Sequence, residues 1–348
     1  MQFERRLNYL DVAKGIGIIL VILGHVDISN NPLCNWIYSF HLPLFFIVSG
    51  MLLSYKKDWI NLNFTKNVKK KAKQLLYPYF TFSTLIALCS VVNKLLLHSP
   101  LFGDVKQILL YTICFEGFST LWFLPALFIA EMLVMNLAHL KHNMIVLFGL
   151  ILVGIVGSYI LSSNILLGNY FYMRLFKRFF NITIRSIIAA SFVEIGYLIF
   201  PYVNKNVKRA NKCFILFTCV ILFVTNIFTS QFNNFVDLHN SILHNVFLYY
   251  MNAIFGSVSI LILLRKINYS NSFLEYCGKN SLTIMVTHLP LPILMSVKNI
   301  YLFKDLLSPY FNNVLICIIV LIIEIFIVIF INRYMSFLIR PKRSMRSE

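Results

Sequence analysis

Apolar residues come in blocks of about twenty along this chain, broken by short polar and mostly basic stretches. The pattern predicts ten membrane-crossing helices, over residues 10–29, 36–55, 75–97, 119–138, 144–163, 185–203, 213–230, 245–264, 280–298 and 313–332. Each is long enough to cross about 30 Å of hydrocarbon at about 1.5 Å per residue. In lipid a segment must satisfy its own backbone hydrogen bonds, which favours helices. The run 106–118 is read in three ways: as an extension of the fourth helix, as an interfacial piece, or as a re-entrant one. The eighth and ninth spans are the most mixed, because "NSILHNVFLYYMNAIFG" and "THLPLPILM" set polar residues and prolines among apolar ones. The expected fold is all-α: a polytopic membrane helix bundle of about ten transmembrane helices. Residues 1–335 would form the bundle and 336–348 a basic cytoplasmic tail.

Composition strengthens the reading. Of 348 residues, 59% are hydrophobic and 13% charged, and the mean hydropathy is +0.76. A soluble protein would have to hide that surface from water. The first apolar run lacks a small-residue cleavage site and is read as a retained membrane helix. The cysteines form no CxxC pair and no cluster with histidine, so neither a metal site nor a disulfide framework is expected.

The formal charge of +18 raises nucleic acid as a partner, but its distribution follows the positive-inside rule instead. With both termini cytoplasmic, the outside receives Lys94, Lys106, Arg174, Lys177, Arg178, Arg185, Lys298 and Lys304. The other cations fall inside, among them Arg5, Arg6, Lys14, Lys141, Arg265, Lys266 and those of the 205–212 loop. No nucleic acid is therefore expected. The loop "KKDWINLNFTKNVKKKAKQ" is denser in lysine than topology requires, and suits a phosphate-rich ligand or anionic lipid head groups.

Ionisable groups inside a membrane are costly and tend to face a cavity or a partner. In "YLDVAKGIGIILVILGH" (9–25), Lys14 and His25 are eleven residues apart, about 1100° of helix and close to three full turns. They share a face and are separated by about 16 Å along the axis. Asp11 lies within i,i+3 reach of Lys14. Gly15 and Gly17 beside it leave room for a ligand or a neighbouring helix. The stripe suits a long ligand with an anionic head and a reactive end, as in acyl-coenzyme A. It equally suits a snorkelling lysine and a histidine that bonds an adjacent helix.

The same segment resembles the first helix of the integral-membrane acyltransferase 3 family, in which an arginine, ten residues and a histidine recur. Here Lys14 replaces the arginine, as in the fucose-O-acetylase-like branch, keeping the charge but losing bidentate phosphate geometry. "FHLPLFFIVSGML" (40–52), "KKKAKQLLYPYF" (69–80), "LWFLPALF" (121–128) and "FLEYCGKNSLTIMVTH" (273–288) are similar to further family motifs in the family's order. Gln74 departs from the pattern, standing where a cation is expected.

The resemblance implies a bacterial, multi-pass plasma-membrane O-acyltransferase. It would move an acyl group, most simply acetyl, from cytoplasmic acyl-CoA to a hydroxyl of a cell-surface glycan or lipid-linked sugar. Acetyl-CoA is then a donor substrate rather than a bound cofactor. Lys14, Lys70 and Lys73 are the expected donor contacts, and His25 the general base or acyl relay. Glu131, in an apolar helix, is expected to anchor His25 or a lysine, with neutral packing as the alternative. Asp11, His41, Trp122 and His288 are assigned to substrate, against capping, an interfacial belt or a turn as the bland roles. Glu194 and Glu324 pose the same choice as Glu131. No hydrolase-like domain is read in the sequence, so either the bundle completes the transfer or a partner protein does so at the outer face. The competing class is an exporter or flippase of a polysaccharide or lipid-linked sugar, which buried carboxylates and histidines also suit.

Overall fold

A computed structural model describes residues 6–26, 31–97, 105–140, 143–163, 171–205, 209–289, 291, 293–300 and 309–341. Arg5, Lys141, Lys304 and residues 342–348 of the basic tail lie outside the described residues. Among those described, the regular elements are helices, apart from one isolated antiparallel bridge between Asp237 and Ile242. Nine of the helices are long and apolar enough to cross a membrane.

The helices are α1 (Asn8–Val26), α2 (Pro32–Lys56), α3 (Phe64–Lys71), α4 (Tyr77–Leu97), α5 (Val105–Ile113), α6 (Phe123–Leu137) and α7 (Asn143–Ser162). They continue as α8 (Phe171–Asn204), α9 (Arg209–Thr229), α10 (Val246–Lys266), α11 (Ser272–Lys279), α12 (Ser281–Thr287), α13 (Ile293–Ile300) and α14 (Pro309–Tyr334). Two compact units are present. One comprises residues 1–61 and 129–281, the other 62–128 and 282–348, so one boundary falls within α6.

In the first unit, α2 and α8 cross with almost no side chain between them. A Cβ on Gly50 would lie 1.8 Å from the Val193 carbonyl oxygen, and one on Gly196 would lie 2.0 Å from that of Ile47. Such reciprocal close approach is how helices associate where lipid removes the hydrophobic drive between them. α1 and α11 meet in the same way, since a Cβ on Gly15 would strike the Leu274 carbonyl at 2.1 Å and one on Gly278 that of Asp11 at 1.8 Å. α7 and α9 carry the apolar periphery, with Ile145, Phe148, Phe214, Phe217 and Phe228 exposed. That surface is what a hydrocarbon solvent would cover.

Two sequence expectations change, and one open reading narrows. The span 280–298 is not one helix: α12 ends at Thr287 and α13 begins at Ile293. Pro290 and Pro292 lack the amides needed to continue the ladder. The Leu294 amide donates to the His288 carbonyl at 3.1 Å across the break. The run 106–118 is a separate short helix, α5, and not an extension of the next one. Its end is capped by the Tyr79 hydroxyl, which donates to the carbonyls of Tyr111 and Thr112 at 3.1 and 3.0 Å. Gly117 then turns the chain at φ +75°, where a Cβ would lie 2.3 Å from the Trp122 amide. Finally, α8 begins at Phe171 instead of 185, because its first turns hold no helix breaker. Arg174, Lys177 and Arg178, expected in a loop, are helical.

In the second unit the entry to α4 widens into a π-helical segment, Ala72–Leu76, which ends two residues before Pro78. The carbonyl four residues before this proline, that of Gln74, to which proline has no amide to give, lies within the widened turn.

Candidate functional site

The first unit holds two polar layers, one at each end of α1. At its start the Asp11 carboxylate is buried. It accepts hydrogen bonds from Arg6 Nε and from Lys14 Nζ, the latter at 2.7 Å. The i,i+3 pair expected from the sequence is thus formed. Arg6 was not foreseen, because it precedes the helix and carries no periodic signal. Arg265 stacks over Tyr9 at 5.9 Å and donates to Asn204 at 2.9 Å. On α11, Glu275 and Lys279 pair at 3.1 Å. Asp11 therefore orients two cations. The space foreseen beside Gly15 and Gly17 is occupied by the backbone of α11 and the ring of Phe45.

At the far end of α1, His25 meets α2. Asn31 caps α2 by accepting the Cys34 amide at 2.8 Å, and Pro32 follows at a position where a missing amide costs nothing. Tyr38, two turns in, brings its hydroxyl to 3.4 Å from His25 Nδ1. His41 sets its ring against Tyr38 at 4.8 Å. His41 Nδ1 donates to the Ile37 carbonyl at 2.7 Å, leaving Nε2 as the acceptor nitrogen. His25 and His41 are thus brought to one layer through Tyr38, a residue the sequence reading passed over.

Over this layer the segment 233–245 folds back as a pinned hairpin. Asn181 and Arg185 of α8 donate to the His239 carbonyl at 3.0 and 3.4 Å. Ser158 of α7 donates to the Ser241 carbonyl at 2.6 Å. The hairpin sends Phe235 onto the Tyr38 ring at 4.4 Å. Burial, followed by the Arg185 charge, holds the His239 imidazole down to about 4 against the pull of Asp237. Beneath, Asn226 of α9 accepts from Trp36 Nε1 at 2.9 Å and donates to Ser39 and to the Asn252 carbonyl at 3.2 and 3.0 Å. An asparagine inside the apolar run "FVTNIF" was the signal that could have exposed this network.

Glu131 does not join the His25 layer. It accepts from the Ser49 hydroxyl. Ser49 is eleven residues beyond Tyr38 on α2, or about 16 Å. Gly24 packs on Tyr38 and Gly17 on Phe45, so α1 and α2 run antiparallel and Ser49 falls opposite the Lys14 turn. Glu131, expected to anchor His25 or a lysine, therefore lies toward the lysine end of the stripe. Glu194 of α8 is buried, and neither of its carboxylate oxygens has a hydrogen-bond partner among the described residues.

Lys70, Lys73, Trp122 and His288 belong to the second unit. Lys70 is half-buried and Lys73 exposed. Trp122 is buried. Beside it Thr120 donates to the Met285 carbonyl at 2.7 Å. His288 is fully buried and its Nδ1 donates to Ile284 at 2.7 Å. The adjacent Thr287 hydroxyl donates to Glu324 at 2.6 Å, which accounts for a carboxylate in the most apolar helix.

A bundle of long apolar helices that buries polar side chains, many bonded to hydroxyls and backbone carbonyls, defines a multi-pass membrane protein. Comparison with known proteins gives the class more narrowly. The family model described as "Acyltransferase domain" matches residues 7–333, and the chain belongs to that family. It is similar to nodulation protein NolL of Mesorhizobium japonicum, 34% identical over 143 residues, covering 38% of this chain and 35% of that protein. Nodulation protein NolL of Sinorhizobium fredii is 38% identical over 86 residues, covering 22% of this chain and 23% of that protein. The chain thus matches about a third or less of the length of these curated relatives.

Proposed function

We propose that the protein is an O-acetyltransferase of the bacterial plasma membrane that takes its acyl group from cytoplasmic acyl-CoA and delivers it to a hydroxyl of a glycan or lipid-linked sugar. The single observation that carries this is α1, with a braced cation at its start and a histidine on the same face about 16 Å further along. A pantetheine arm joins phosphates to a thioester over a comparable length.

Lys14, kept extended by Asp11 and flanked by Arg6, meets the phosphate end. Lys70 and Lys73 are assigned to donor phosphates by family resemblance alone. A hydroxyl is a poor nucleophile at neutral pH, and His25 removes its proton as oxygen attacks the thioester carbon. The carbon–sulfur bond then breaks, and the imidazolium returns that proton to the departing thiolate. His41, one turn deeper than Tyr38, lines the acceptor side. The alternative route, an acyl group carried briefly on His25, uses the same residues.

The test is transfer of labelled acetyl from acetyl-CoA in membrane vesicles containing the protein. His25→Gln is expected to lower transfer by about 10²- to 10⁴-fold, with unchanged protein level and melting temperature. Wild-type transfer in that variant would end the assignment.

A further inference from the structure

The first turns of α8 carry charge past the layer that holds His25. α2 and α8 run parallel, since Gly50 meets Val193 and, further on, the Tyr55 ring lies 5.6 Å from that of Phe200. The start of α8 is therefore at the Tyr38 end of α2, as the bonds from Asn181 and Arg185 to the hairpin also require. Seven residues are about 700° of helix, within roughly 20° of two turns. Arg174 and Arg178 thus repeat the face of Asn181 and Arg185 about 10 Å further out, and Lys177 lies within about 40° of Asn181. Arg174 is exposed and Lys177 half-buried. Among the described residues, neither enters an ion pair or a side-chain hydrogen bond. The opposite face holds Tyr172, Phe176 and Phe179, all exposed. An apolar stripe for lipid and a cationic stripe turned away from it set this part of α8 at the membrane surface. With both termini cytoplasmic this is the outer surface, where the positive-inside rule gives no reason for cations. The sequence sets four cations of α8, the fourth being Arg185, against Asp237 and against Asp27, next in the chain after α1. Asp237 accepts from the Asn240 side chain at 2.7 Å within the hairpin.

We infer that this stripe receives negative charge on the acceptor, and that the acceptor is an acidic glycan entering from the outer face. This rests on the reading of the His25 layer as the place of transfer. Order along the helix axis decides between the two kinds of acceptor. Tyr38, and with it His25, is level with the hairpin that Asn181 and Arg185 hold, and Arg174 is further out. A glycan that enters from water sends its reacting hydroxyl deepest and leaves the acidic groups of later sugars at the rim. A lipid-linked sugar has the reverse order, with its phosphates next to the hydrocarbon and its hydroxyls beyond them. To engage Arg174 and His25 together, its phosphates would have to lie outside its own hydroxyl. Charges at such a rim act on encounter and binding more than on the chemical step.

The test is to isolate what becomes labelled when acetyl-CoA carrying a labelled acetyl group is given to membrane vesicles that hold the cell's own glycans. The label is expected in a water-soluble product that binds an anion exchanger, both before and after mild acid has cleaved any sugar–phosphate link to lipid. Arg174→Gln combined with Lys177→Gln is expected to raise the KM for that glycan about 2- to 30-fold, the reach of two exposed ion pairs. The kcat, the KM for acetyl-CoA and the melting temperature should stay near wild type. Added salt should bring the wild-type KM toward that of the double variant. A neutral product, label that partitions with lipid into organic solvent, or a wild-type acceptor KM in the double variant overturns the inference. The reading of His25 fails separately: if His25→Gln retains full transfer the base is lost, while the charge of the product still decides the acceptor class.

Discussion

At the scale of single residues, the Asp11 carboxylate is the most heavily used group on α1. It is buried and bonded to two cations, so its removal leaves charge without a counterpart. Hydrogen bonds to charged groups contribute about 1.5–3 kcal/mol each where solvent is excluded. Arg6 is mostly exposed, so the lower end of that range applies. Asp11→Asn should destabilise the protein by about 1–2 kcal/mol. It should also raise the KM for acetyl-CoA while kcat is retained, because Lys14 loses its brace and His25 does not. Steady-state kinetics beside a thermal melt in detergent would check both parts, and an unchanged KM would remove Asp11 from the donor end. The i,i+3 spacing of this pair was legible in the sequence. The contribution of Arg6 was not, since a residue outside the helix has no periodicity to place it.

At the scale of elements, the crossing of α2 and α8 sets the frame in which the polar layers are held. Overpacking a close contact costs about 1–3 kcal/mol, and here the obstacle is backbone that cannot rotate away. Gly50→Ala is therefore expected to lower the melting temperature markedly or to reduce folded protein in membranes. Gly149→Ala on α7 is the matched control, because a Cβ there meets nothing within 4 Å. It should be neutral or slightly stabilising, as alanine is in a helix interior. Equal effects from the two substitutions, read by fluorescence-detected size exclusion on heating, would contradict this account. Helix identity was written in the apolar runs, but the division of 280–298 was under-read: two prolines three and five residues after Thr287 were enough to break it. The start of α8 was misplaced because polar residues were read as a loop, although none of them breaks a helix.

At the scale of the whole molecule, a family acyltransferase domain spans nearly the full chain. A donor that binds the folded state raises its stability by mass action, about 2.7 kcal/mol at a concentration 100 times Kd. Acetyl-CoA should accordingly raise the melting temperature of the purified protein, and Lys14→Ala should abolish the rise, from a baseline melt itself lowered by loss of the bond to Asp11. Movement of a sugar substrate across vesicles with no acyl donor present, and no donor-dependent shift, would point to transport instead.

What the sequence determined alone was whatever depends on neighbours along the chain. Apolar runs became helices because a segment in lipid must close its own hydrogen bonds. Lys14 and His25 fell on one face because helical pitch is local. Only the tertiary structure decided which polar groups meet. It put Tyr38 against His25, Glu131 on Ser49, and the backbone of α11 into the space beside Gly15. Between helices in lipid, the hydrophobic effect does not select partners, and close packing of small residues and interhelical hydrogen bonds do so instead. Those contacts join residues far apart in the chain, where no periodicity reaches.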